Sequence, residues 1–176
     1  MKGVVTVGKC VYSETEFNEK YDKYCSMVYR TSYQYLFNVE LAEDVTQEAF
    51  VKLFTCGKIF NNDEHEKAWL LRVTINLCKN ILKSKSYQNL ELKNEIAVYE
   101  NAFEENSDNK IDIFSHLKCL SAEQRMAIYL YYFERLKIKE ISKVMKVKEN
   151  TVKSHLKRAK QILRINIEKE KEHELF

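Results

Sequence analysis

Proline is absent from this chain of 176 residues, and its three glycines stand at positions 3, 8 and 57. Sheet proteins spend these two residues at hairpins and tight turns, whereas helices are interrupted by them. A chain so poor in both is expected to be all-α. Its hydrophobic fraction of 45% is enough for a packed core, and 31% charged residues suit a surface in water. The expected architecture is two helical domains joined by a flexible acidic linker. The C-terminal one is expected to be a helix-turn-helix domain of the winged-helix-like, four-helix kind.

The clearest local pattern lies near the C-terminus. Val152, Leu156, Ala159 and Leu163 fall at i, i+4, i+7 and i+11, one helical stripe. Lys153, Ser154, Lys157 and Lys160 lie off it and give the helix a basic, hydrogen-bonding front. A shorter amphipathic segment, Ile138 to Met145, precedes it, and Lys146-Val147-Lys148 separates the two. Two short helices, a tight turn and a basic second helix are the plan of a DNA-reading helix-turn-helix.

Charge is distributed in blocks. Five basic residues and no acid occur between Lys67 and Leu90, seven acids and two lysines between Gln88 and His116, and thirteen basic against four acidic residues between Leu117 and Arg164. Two basic modules around an acidic connector point to a polyanion touched at two places.

In the N-terminal half, Ser13 and Glu16 form a capping box that opens a helix to about Asn38, with Phe17, Tyr21, Tyr24, Val28 and Tyr35 as its buried face. A second helix, about Leu41 to Phe54, buries Ala42, Val45, Ala49 and Leu53. Asp44, Gln47, Glu48 and Val51 point elsewhere. They form either an ordinary solvated face or a docking surface for a basic partner helix. A polar loop from Lys58 to Glu66 is expected next.

A third helix follows, about Lys67 to Lys85, with Trp69, Leu70, Val73, Leu77 and Ile81 inward. Its other face, Arg72, Asn76, Lys79, Asn80 and Lys83, interleaves cations and amides without one acid. Such a face suits single-stranded nucleic acid, phosphates meeting the cations and base edges the amides. Residues 88–109 read as the linker. A helix is expected over Lys110 to Cys119, and another after a Ser121/Gln124 capping box, with Met126, Ala127, Leu130 and Phe133 inward. The domains are therefore expected at 13–87 and 110–168, with an N-terminal arm of residues 1–12 and a fraying tail of residues 169–176.

Several classes are excluded. The five cysteines, at 10, 25, 56, 78 and 119, are too scattered for a metal knuckle or a redox pair. The Asp63-Glu64-His65 run lacks a distant partner, so no metal is expected. No apolar run approaches the ~20 residues of a membrane span, and no signal peptide is evident. Neither paired carboxylates, nor metal-ligand spacing, nor a phosphate-cradling glycine loop argues for an enzyme, a cofactor or a small-molecule substrate.

Taken together, four stretches resemble the sigma-70 family of initiation factors, in its small extracytoplasmic function (ECF) group. Ala42 to Phe50 resembles the core-polymerase-binding segment, with an Asp-x-x-Gln-Glu-x-Phe pattern. Ala68 to Asn76 resembles the melting and −10-reading helix, Leu120 to Arg125 the opening of the −35-binding domain, and Lys139 to Ser154 its helix-turn-helix. The resemblance covers about Phe17 to Ser86 and Leu117 to Leu163.

It implies a non-enzymatic, cytoplasmic factor that binds core RNA polymerase and directs it to promoter DNA. Asp44, Gln47, Glu48 and Val51 would face the clamp helices of the largest subunit, and the flap of the second-largest subunit is a further implied contact. Asn61, Asn62, Arg72, Asn76, Lys79, Asn80 and Lys83 would take the −10 element, the Asn61 to Glu66 loop holding a flipped-out base. Asn150, Thr151, Lys153, Ser154, Lys157, Arg158 and Lys160 would take the −35 element. An anti-sigma factor, one that could hold the chain at a membrane, is a further implied partner.

This chain departs from the family pattern at three places. Ser121 stands where proline is common, Lys146 where the turn usually has glycine, and Lys148 where a serine cap is usual, leaving Glu149 or Asn150 to cap. A conventional helix-turn-helix regulator that binds DNA as a dimer is the competing reading. It leaves the Trp69 to Asn76 pattern and the acid-free helix unexplained.

Overall fold

Six helices account for most of the described residues, 12–84 and 116–173, of the computed structural model. They are α1 (Glu14–Leu36), α2 (Val39–Thr55), α3 (Asp63–Lys83), α4 (Ala122–Tyr132), α5 (Ile138–Met145) and α6 (Glu149–His173). No strand occurs among the described residues, so the C-terminal domain shows no wing there. The expectations for residues 1–11, for the linker over 88–109 and for most of the Lys110 to Cys119 helix fall outside the described residues.

The helix starts follow from their capping residues. Ser13 and Glu16 form a reciprocal box, the Glu16 carboxylate accepting from the Ser13 N–H at 2.8 Å. That bond holds the Glu16 carboxyl below its usual range. Ser121 and Gln124 open α4 in the same way. Asn38 caps α2 by accepting from the Leu41 N–H at 2.9 Å. Asn62 does the same for His65 at 2.8 Å and starts α3 at Asp63, four residues before the expected Lys67. Three acids in the first turn of α3, Asp63, Glu64 and Glu66, complement its positive end. The expected polar loop therefore ends at Asn62. At the other end, α6 continues to His173 where a fraying tail was expected from residue 169.

Helices α1, α2 and α3 pack on one another, and α4 and α5 pack on α6. The two groups also meet, α1 against α4 and α3 against α5, so a single core runs from Val28, Leu53, Leu70 and Ile75 to Met126, Leu130, Ile141, Val152 and Ala159. The expected inward face of α2, Ala42, Val45, Ala49 and Leu53, is fully buried. The face of α3 is rotated from expectation. Leu70, Leu71, Thr74, Ile75, Leu77 and Cys78 are buried, while Trp69, Val73 and Ile81 are half-buried. Packing on two sides, against α1 and α2 and also against α5, explains the shift. Tyr21 is 41% exposed, yet its ring lies 4.7 Å from that of Phe50. Phe133, expected inside, is half exposed at the C-cap of α4.

Candidate nucleic-acid interface

Lys146 ends α5 in the left-handed conformation, φ 56° and ψ 48°. Its N–H and that of Val147 both reach the Ser142 carbonyl, which closes the helix end. A lysine in this geometry costs about 1 kcal/mol relative to glycine. Helix α6 then starts at Glu149, with the Lys148 carbonyl accepting from Thr151 at 2.9 Å and Val152 at 3.1 Å. Lys148 thus holds the position before the helix, and Glu149 and Asn150 lie inside it rather than capping it.

The turn aims one face of α6 outward. Val152, Leu156 and Ala159 are buried; Asn150, Lys153, Ser154, Lys157, Arg158 and Lys160 are exposed, and Thr151 is half-buried. The Ser154 hydroxyl donates to the Asn150 carbonyl at 2.9 Å, which leaves its lone pairs to accept. Lys160 lies 5.4 Å from the Tyr132 ring, and its hydrogen bond to Tyr132 raises the lysine pKa. A shallow groove lined by Tyr131, Ile138, Leu156 and three of these lysines runs beside the helix.

The polar face of α3 is only partly open. Asn80 and Lys83 are exposed; Arg72, Asn76 and Lys79 are half-buried. The Lys79 ammonium donates to the Met145 carbonyl at 2.8 Å. Burial lowers its pKa, helped by Lys83 and Lys146 and opposed by Glu123. Arg72 Nε is buried without a partner among the described residues, an arrangement that costs about 1–3 kcal/mol.

Before α3, Asn61 and Asn62 are exposed, but the Asn62 side-chain oxygen is engaged as the cap. Glu66 is 1% exposed and accepts from Tyr12 at 2.8 Å and from the Lys20 ammonium at 2.5 Å. The Lys23 ammonium holds Asp63 at 2.5 Å and keeps its carboxyl below the usual range. These bonds fasten the start of α3 to α1. Burial beside them pushes the Tyr24 hydroxyl up to about 12. Glu66 is thus a structural carboxylate, a role that sequence reasoning missed. Nearby, Ile59 is exposed, and Lys58 lies 5.9 Å over Trp69, whose ring is tilted against that of Phe60 with centroids 5.5 Å apart.

On α2, Asp44, Gln47 and Glu48 are exposed and Val51 is 60% exposed, on the face opposite the core. Glu48 pairs with Lys52 at 3.1 Å, an exposed i,i+4 pair that contributes about 0.3–0.5 kcal/mol. No cluster of His, Cys, Asp and Glu among the described residues could hold a metal, and no helix there is long and apolar enough to cross a membrane.

Comparison with known proteins adds the following. Residues 21–87 match the family description "Sigma-70 region 2", and residues 115–163 match "Sigma-70, region 4". The chain is 27% identical over 142 residues to the RNA polymerase sigma factor SigV of Bacillus subtilis (strain 168), across 81% of this chain and 85% of that one. It is 30% identical over 135 residues to the ECF RNA polymerase sigma-E factor of Escherichia coli (strain K12), across 68% and 70%. Its fold is similar to that of the sigma factor RpoE from Bartonella quintana, solved in complex with the anti-sigma factor NepR. That similarity has a TM-score of 0.69 at 19% identity, across 88% of this chain and 98% of that one.

Proposed function

This chain belongs to the sigma-70 family, among the ECF RNA polymerase sigma factors, and on that premise we propose how its residues divide the work of promoter-specific initiation. Asp44, Gln47, Glu48 and Val51 dock on the clamp helices of the largest polymerase subunit. The observation that carries this assignment is their exposure on one face of α2, while Ala42, Val45, Ala49 and Leu53 fill the core. Carboxylates and an amide around one exposed valine suit a basic helix with an apolar contact point.

Arg72, Asn76, Lys79, Asn80 and Lys83 take the −10 strand, with Asn61 and the amide nitrogen of Asn62 at its edge. Extruding a base costs a few kcal/mol, which edge hydrogen bonds and stacking return. Lys153, Ser154 and Lys157 read −35 base edges in the major groove, flanked by Asn150 and Thr151, while Arg158 and Lys160 hold phosphate. The region 4 domain meets the polymerase flap. Two weak readers on one chain gain from effective concentration, so the two boxes are read at a fixed spacing. The domains doing this span 13–87 and 110–168.

An anti-sigma factor is the proposed regulatory partner, and the chain works in the cytoplasm or held at the membrane by that factor. The sigma factors it matches are not enzymes, and no catalytic role is assigned. The region 2 match disfavours the dimeric regulator, which has no use for a polymerase-docking helix. Co-elution with core polymerase tests the docking assignment. The wild-type chain is expected to co-elute, and the triple change Asp44→Ala, Gln47→Ala, Glu48→Ala to elute alone. Equal retention of both would remove α2 from the interface.

A further inference from the structure

Four residues of α1 stand on one stripe, at i, i+4, i+8 and i+12: Tyr21, Cys25, Tyr29 and Tyr33. Tyr21 is 41% exposed and the other three are half-buried. Ring contacts set where this stripe runs. Phe17 lies 5.1 Å from Phe54 and Tyr21 lies 4.7 Å from Phe50, so α1 and α2 are antiparallel. Two turns further along α1, Tyr29 comes opposite Glu43, two turns before Phe50 on α2. Burial first, and then this carboxylate, raise the pKa of the Tyr29 hydroxyl. The rings of Tyr29 and Tyr33 are nearly parallel, 14° apart with centroids separated by 6.3 Å.

The stripe borders the face assigned to polymerase. Glu43 is exposed on α2, one turn before Gln47 and next to Asp44. Asp22 is exposed beside Tyr21. The two lysines of α1, Lys20 and Lys23, turn instead to Glu66 and Asp63 at the start of α3. Tyr24, Val28 and Tyr35, on the neighbouring face of α1, are the rings and branched chain that fill the core. The edge of the α2 face thus carries aromatic rings and carboxylates together. Both attract the same chemical group, a guanidinium or an ammonium.

We propose that the seam between α1 and α2 belongs to the polymerase-docking surface, and that Tyr29, Tyr33 and Glu43 together seat a lysine or arginine side chain of the basic clamp helix. The inference rests on the docking role given to α2 above, and it names what the partner presents at the α1 edge. A basic helix laid along the seam meets carboxylates from α2 on one side and tyrosine rings from α1 on the other. Charge complementarity and continuity with the α2 face both select this occupant.

Fluorescence titration of the full chain with core RNA polymerase tests the proposal. Glu43 is exposed, so Glu43→Lys should keep the wild-type urea midpoint. It sets a cation against the seated cation and should weaken binding by at least about tenfold. Tyr29→Leu with Tyr33→Leu keeps apolar bulk but removes the rings, and should weaken binding by roughly five- to thirtyfold. Tyr29→Phe with Tyr33→Phe restores the rings and should recover most of that loss. Wild-type affinity in Glu43→Lys would overturn the proposal, as would equal affinity in the Leu and Phe pairs. A Leu pair that unfolds leaves the decision to Glu43→Lys. The α2 reading fails separately: wild-type binding by the Asp44→Ala, Gln47→Ala, Glu48→Ala variant would strike that reading, and this inference with it. Loss in that triple variant beside wild-type binding in Glu43→Lys would remove the α1 edge alone.

Discussion

Arg125 Nε lies 2.5 Å from the carbonyl oxygen of Gln34, ninety-one positions earlier in the chain. The same guanidinium donates to Leu117 and Leu120 in its own half and lies 3.9 Å from the centre of the Phe37 ring. It is 6% exposed, so its bonds replace water at four buried carbonyls. Arg125→Ala should therefore cost about 3–5 kcal/mol in urea unfolding. Arg125→Lys should recover little, because one ammonium cannot match a planar fork that spans four acceptors. A loss under about 1 kcal/mol would show that water replaces the guanidinium at no cost.

The turn between α5 and α6 offers a gain. Lys146 occupies a left-handed position that glycine takes without a Cβ penalty. Lys146→Gly should stabilise the fold by about 1 kcal/mol, raising Tm by about 2–4 °C in a chain of this size. Calorimetry reads the shift. An unchanged or lower Tm would mean that the backbone entropy of glycine in the unfolded chain offsets the relief.

Cys78 is fully buried, and burial pushes its thiol up to about 12 from an ordinary 9.0. Because the folded value lies above the unfolded one, the stabilisation is complete below pH 9 and is lost as pH rises towards 12. Over that window the unfolded chain releases a proton that the folded chain keeps, which adds a slope approaching about 1.4 kcal/mol of lost stability per pH unit. Cys78→Ala should remove that slope from an alkaline denaturation series. In native protein a thiol reagent should label exposed Cys119 quickly and Cys78 only on unfolding. Equal labelling rates would contradict the burial.

Val51→Asp tests the α2 surface. The side chain is 60% exposed, so folding should change by no more than about 0.5 kcal/mol. A charge placed in the centre of a desolvated contact should weaken core-polymerase binding by at least about tenfold. Fluorescence titration measures it, and wild-type affinity in a folded variant would place the contact elsewhere.

Much of this was legible in the sequence wherever one local rule decided the outcome. Both Ser-x-x-Glu/Gln capping boxes appear as expected, because the reciprocal bonds use neighbours only. The α6 stripe holds for the same reason. Some of what failed was local, and some needed the other half of the molecule. Phe133 fits the α4 period, yet it falls at the C-cap and stays half exposed. Arg125 gave no sign of crossing to α1, since a lone arginine in a motif carries no register. Lys79 sits on an acid-free face that looked wholly open, but α5 covers part of it. The Asn62 cap was readable: an asparagine ahead of Asp63, Glu64 and Glu66 is a helix start, and the polar composition of that run hid it.

The central claim is that this chain gives polymerase its promoter choice. Core RNA polymerase, purified free of other sigma factors, should be mixed with the chain and bacterial genomic DNA, and transcript 5′ ends mapped by sequencing. The account predicts starts at discrete sites that share an upstream pair of boxes at constant spacing, lost with Lys153→Ala and Lys157→Ala together. Starts scattered as with core polymerase alone, or sites unmoved by that double change, would contradict it.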